Sequence, residues 1–222
     1  MATAKVHITK LAAAERQLRA GIRMYFAGED QLAVHTVASA AYRLLADLKA
    51  ERGMDEAASV YLASIFYVIR DYRRGNLPND TTSDAEFMKW VQEIAEQLPI
   101  RANSKFEDVS VTLPRELVGQ FWNQRNKIAN FLKHADHDSR SSISLDEVDN
   151  LPLLMQCYCA YVDITREDLG NEGFVFQLFV GANRFERSNS PQEDGLEKEI
   201  AAIPEADRLR FCAACISNLN KM

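Results

Sequence analysis

A chain of 222 residues and 25.1 kDa is long enough to bury a sizeable core without disulfide or metal staples, and 47% hydrophobic with 26% charged residues is ordinary globular usage. Disorder and fibrous repeats are therefore excluded, and a net charge of −6 excludes a broad basic face for duplex nucleic acid, leaving room for a small local basic site. No segment approaches the roughly 18 apolar residues of a membrane helix, and the first 26 residues mix charges among their apolar positions, unlike a secretion signal. Cys157, Cys159, Cys212 and Cys215 lie in helix-like apolar segments, so the expectation is a cytoplasmic, non-membrane protein with reduced thiols.

Leu11, Leu18, Ile22, Tyr25 and Phe26 mark a first amphipathic helix from Thr9, its N-cap, to Ala27, with Gly28 as the stop. Asp30 caps a second helix, about Gln31 to Arg52, whose buried stripe reads Val34, Val37, Ala41, Leu44 and Leu48. So short a connection predicts an antiparallel pair. A third helix, Asp55 to Arg74, is apolar through Val60, Tyr61, Ile65, Phe66, Val68 and Ile69 and is expected to be the most enclosed, closed by Gly75. Ser83 and Glu86 fit a capping box for a fourth, ended by Pro99. Ile100 to Leu113 has no helical period and reads as a loop.

After a central helix, Ser144 and Glu147 suggest a capping box opening a sixth helix to about Leu169, with Leu154, Cys157, Tyr158, Tyr161 and Thr165 as its stripe. FVFQLFV at Phe174 to Val180 is short enough to be strand or helix by period, and its context favours helix. RFERSNSPQEDG reads as a linker to a terminal pair, Glu193 to Ile203 and Glu205 to Leu219, split by Pro204. The predicted fold is an all-α helical bundle over residues 1–183, followed by a linker and a C-terminal helical hairpin over 184–222 that packs on it.

The central stretch, Pro114 to Asp138, concentrates the chemistry. Leu117, Phe121, Gln124, Ile128, Phe131 and Leu132 recur on one side of it, which is read as core. Asn123, Lys127, Asn130 and His134 follow one another on another side as a stripe of amides, one amine and one imidazole, able to hydrogen-bond a ligand or a neighbouring helix. At 100° per residue, Arg125 falls on a different side from Asn130 and His134. His134, Asp136, His137 and Asp138 add two imidazoles and two carboxylates, and His35 on the second helix could approach them, so a divalent metal is the alternative to no cofactor at all. On that alternative the chain is a metal-assisted hydrolase or ribonuclease centred on His134 and Asp136, with Arg125, His134 and His35 as catalytic candidates. The bland reading of His35 is a half-buried histidine bonded to a neighbour. Cys212 and Cys215 have redox spacing without a strand-to-helix context and read as core. Arg70, Arg73 and Arg74 read as cations favoured in a helix's last turn.

RNKIAN, at Arg125 to Asn130, resembles the signature of the HEPN domain (higher eukaryotes and prokaryotes nucleotide-binding), in whose nucleases an Arg is followed after four to six residues by His. The resemblance covers roughly Leu11 to Asp168. It implies an all-α fold, an RNA or nucleotide ligand or a protein partner, and a homodimer in which two copies of the motif meet. Arg125 maps onto the family's Arg and Asn126 onto the polar residue after it; Asn130 stands at the His position and cannot exchange a proton near pH 7. His134, one turn later, follows Arg125 after eight intervening residues, outside the family's range. The ligand set implied is therefore Asn123, Arg125, Asn126, Lys127, Asn130 and His134, in a module that binds without cutting.

Overall fold

The computed structural model describes residues 7–77, 79–134, 139–187 and 196–221. Thr9 caps α1 (Lys10–Phe26) by accepting from the Ala12 amide at 3.1 Å, and Gly28 turns the chain at φ +68°, a left-handed conformation that costs glycine nothing. Asp30 then caps α2 (Gln31–Glu51) by accepting from both the Leu32 and Ala33 amides. Asp55 caps α3 (Glu56–Arg74), which Gly75 closes at φ +70°. A single turn, α4 (Asn79–Thr82), precedes α5 (Ala85–Gln97). The cap of α5 is Asp84, accepting from Glu86 and Phe87, and not the expected Ser83; a carboxylate one residue nearer outcompetes the hydroxyl.

Beyond a loop with one 3-10 turn at Phe106–Asp108 runs α6 (Arg115–Lys133). Ser144 caps only a second 3-10 turn, Leu145–Glu147, and the predicted sixth helix begins later, as α7 (Asn150–Thr165) capped by Asp149. It also ends earlier than Leu169, because Arg166 adopts φ +60° and its amide closes the last turn on Val162. Phe174 to Val180 is helical, inside α8 (Gly170–Arg187). Two helices follow, α9 (Leu196–Ala201) and α10 (Glu205–Leu219), joined around Pro204. Arg208 of α10, buried, donates back to the carbonyls of Ile203 and Ala201, so it closes the end of α9. Among the described residues there is no strand, and the chain is an all-α helical bundle. No helix is long and apolar enough to cross a membrane among those residues.

Two compact units form, Met1–Arg52 with Asn126–Met222, and Gly53–Arg125. In the first, α1, α2 and α7 pack most extensively, and α8 and α10 close over α1. Small residues let them approach: a Cβ on Gly21 would stand 3.2 Å from Leu154 Cδ2 and 3.9 Å from the Ala38 Cβ. Ala14, Ala38 and Ala41 are wholly buried between larger partners such as Leu18, Ile22, Leu45 and Leu154. The buried face of α2 is rotated from the expected stripe. Val34 and Ala41 hold their places, but Ala38, Tyr42 and Leu45 point inward where Val37, Leu44 and Leu48 are only half-buried. The small Ala38 and Ala41 let the neighbouring helices approach at the contact, and the face so chosen carries Tyr42 and Leu45 inward with them.

The second unit is built on Leu62, Ile65, Phe66 and Ile69 of α3 with Ala95 of α5 and Ile100 of the loop; Tyr61, Tyr72, Phe106, Val109 and Val111 pack around them. The aperiodic loop thus supplies much of this core. α3 is less enclosed than its composition predicts: Val60, Tyr61 and Val68 are half-buried and Tyr67 is 53% exposed.

Candidate functional site

Glu116 in the first turn of α6 and Lys133 in the last both suit the helix dipole. The side expected to be core is covered only in part. Leu117 is 40% exposed, Gln124 is exposed, and Phe121, Ile128, Phe131 and Leu132 are half-buried; Ala129 is the one buried residue of the helix. A helix lying at the margin of its neighbours gives its apolar side partial cover, and no periodicity in the helix itself distinguishes that from full burial.

The polar stripe faces water along its whole length, since Asn123, Lys127, Asn130 and His134 are all exposed. Lys127 Nζ bonds the Glu147 carboxylate. That hydrogen bond, the Ser144 amide and the lysine's charge together hold the Glu147 carboxyl below its ordinary range. Arg125 and Asn126 are half-buried; the helical wheel sets Arg125 on a different side from the open stripe, whereas Asn126 borders it. The His134 amide donates to the Asn130 carbonyl at 3.0 Å, which continues the helical pattern to its exposed end.

His35 has a different environment. It is buried in α2 with Nδ1 3.1 Å from Asn150 Oδ1, while Asn150 Nδ2 donates to the Gln31 carbonyl at 2.9 Å. Because the amide's NH2 is committed to Gln31, its oxygen faces the imidazole and Nδ1 carries the proton. The pair fastens the first turn of α7 to α2, so His35 has the bonded neighbour that the bland reading expects but is buried rather than half-buried. Asp136, His137 and Asp138 lie outside the described residues. Among the described residues, no group of three or more His, Cys, Asp or Glu side chains is placed to hold a metal ion.

Cys157 and Cys212 are buried, Cys215 is half-buried and Cys159 is exposed. Burial, and then the neighbouring Cys215, push the Cys212 thiol up to about 12, and burial raises Cys215 as well. With so little thiolate, Cys212 should be alkylated by iodoacetamide at pH 8 far more slowly than Cys159, as read by peptide mass spectrometry over time. Equal rates at the two positions would contradict the core reading.

Sequence reasoning missed three arrangements. Lys49, 2% exposed, places Nζ 2.6 Å from Asp163 Oδ2. Glu172, 4% exposed, lies between Arg19 at 3.0 Å and Arg23 at 2.6 Å. Two arginines of α3 bond distant carbonyls: Arg73 Nη2 donates to Ala95 O near the end of α5 and Arg74 Nε to Ala102 O in the loop that follows, each at 2.6 Å. Only pairing across 22 or more residues distinguishes these roles from last-turn cations, and local spacing carries no such signal. No family model, no curated protein and no solved structure matches this chain.

Proposed function

We propose that the chain is a non-catalytic, HEPN-like helical module of the cytoplasm whose interaction element is α6, and that its partner there is a second copy of the same chain. The observation that carries the reading is the solvent-facing stripe Asn123, Lys127, Asn130 and His134 on a helix that buries only Ala129. Asparagine both donates and accepts, so an amide-rich stripe is self-complementary across a two-fold axis. Pairing of Lys127 with Glu147 leaves the stripe close to neutral, which suits a protein surface better than the phosphates of RNA. Asn130, at the position where the family's nucleases carry His, supports binding without cleavage.

Light scattering at micromolar concentration should return twice 25.1 kDa, and Asn130→Arg, which sets two like charges near the axis, should shift the protein toward monomer. A monomeric wild type overturns the self-association. Incubation with mixed RNA, with and without chelator, tests the remainder: cleavage lost in Arg125→Ala would show a nuclease, and tight RNA binding that Lys127→Ala weakens would make RNA the partner of α6.

A further inference from the structure

An aromatic corner forms at the C-terminal half of α3. Phe66 is wholly buried and Tyr67, the next residue, is 53% exposed. Phe106, from the 3-10 turn within the loop, lies parallel to Tyr67, with 3° between planes and 6.5 Å between centroids. Both stand at right angles to Phe66, at 5.3 Å and 5.4 Å. Arg70, one turn along, sets its guanidinium carbon 4.9 Å from the Tyr67 centroid and 5.7 Å from that of Phe66. Arg74 follows one turn later on the same side and Lys105 precedes Phe106 in the chain.

Packing explains Phe66. It does not explain a tyrosine ring left half in water with a guanidinium stacked on it, parallel to a second ring. We propose that this corner binds a nucleotide, its base stacked against Tyr67 beside Phe106 and its phosphate drawn to Arg70 and Arg74. A base needs only an exposed π face to stack on, and arginine adds both a planar surface and charge. Three rings meeting at right angles also suit a quaternary ammonium, but Arg70 already places a cation on the corner and repels a second. Asp71, 3.4 Å from Arg70, with Glu107 and Asp108 beside Phe106, matches the charges of Arg70, Arg74 and Lys105, so the corner is close to neutral as a whole, which fits one or a few nucleotides held mainly by stacking rather than a long phosphate track. This site shares no residue with the α6 surface and stands or falls independently of it.

The test titrates the full chain, by calorimetry and ligand-observed NMR, with AMP, UMP, a uridine tetranucleotide, adenosine, inorganic phosphate and tetramethylammonium. AMP or UMP should bind, adenosine and phosphate more weakly, and binding should fall as salt rises. A tetranucleotide that binds more tightly than UMP identifies single-stranded RNA as the source of the nucleotide; equal affinities identify a mononucleotide. Tyr67→Ala, at an exposed position whose folding is checked by circular dichroism, should weaken binding roughly 5- to 100-fold, whereas Tyr67→Phe keeps the π face and should change it by no more than about twofold. The proposal is overturned if no nucleotide binds at millimolar concentration, if Tyr67→Ala binds as wild type does, or if tetramethylammonium competes better than AMP.

Discussion

Phe26→Ala is expected to lower the unfolding free energy of the first unit by about 3–5 kcal/mol, a large part of the 5–15 kcal/mol typical of a domain. The ring is 1% exposed at the last position of α1, where a truncated side chain leaves a cavity that helices on several sides would have to move together to fill. It also meets three other rings: Phe179 edge-on at 5.2 Å, Tyr25 at 5.7 Å and Phe176 at 6.3 Å. Such pairs add to the burial term and tie α1 to α8. Phe26→Leu should recover a substantial part of the loss by refilling the volume. The readout matters because Trp90 and Trp122 both belong to the second unit, so tryptophan fluorescence reports there first. Urea unfolding followed by far-ultraviolet circular dichroism, with amide exchange in α1, gives the comparison. A loss under about 1 kcal/mol would mean that the site is much looser than its burial indicates.

Removing both arginines that face Glu172 should be worse than removing Glu172 itself. The carboxylate is 4% exposed, whereas Arg19 and Arg23 are 31% and 47% exposed and can turn to water when their partner is lost. Arg19→Leu with Arg23→Leu strands a buried charge and should cost about 3–5 kcal/mol, while Glu172→Gln should cost about 1–2 kcal/mol. Adding Glu172→Leu to the double variant should then restore stability rather than lower it further, the signature of a buried charge as the cause.

The same site predicts an acid response. Burial pushes the Glu172 carboxyl up, but its own helical amide, Arg23, Arg19 and Asn220 together outweigh that and hold it below the ordinary 4.5. A group whose folded value is depressed contributes stability that is fully present above its unfolded value. That contribution is lost as pH falls from about 4.5 through the lower folded value. Glu172→Gln should therefore flatten the decline in stability below about pH 4.5. An acid limb of unchanged steepness in that variant would remove Glu172 from the account.

How much of this was legible in the chain divides by range. Thr9, Asp30, Asp55 and Gly75 act within four residues of the groups they bond, so the beginnings and ends of α1, α2 and α3 follow from local order alone. The loop character of Ile100 to Leu113 follows in the same way, whereas Phe174 to Val180 was open between strand and helix by its own period and only its helical context pointed to the helix it forms. Caps become ambiguous where two candidates compete. Ser83 loses to Asp84, and Ser144 caps one turn while Asp149 starts the helix, because capping strength depends on which residue the tertiary path holds in extended geometry.

The candidate site was legible as a pattern and not as an environment. The spacing of Asn123, Lys127, Asn130 and His134 put them on one side of α6, and the structure leaves that side in water. Whether the apolar side of the same helix was fully covered, which side of α2 turned inward, and that His35 would meet Asn150 across 115 positions were decided by helices far away in sequence. So were the pairing of Glu172 with Arg19 and Arg23 and the meeting of Tyr67 with Phe106. Hydrogen-bonding capacity and helical period belong to the residues themselves and can be read from them. Burial and charge pairing belong to whatever packs alongside, and only the assembled bundle sets them.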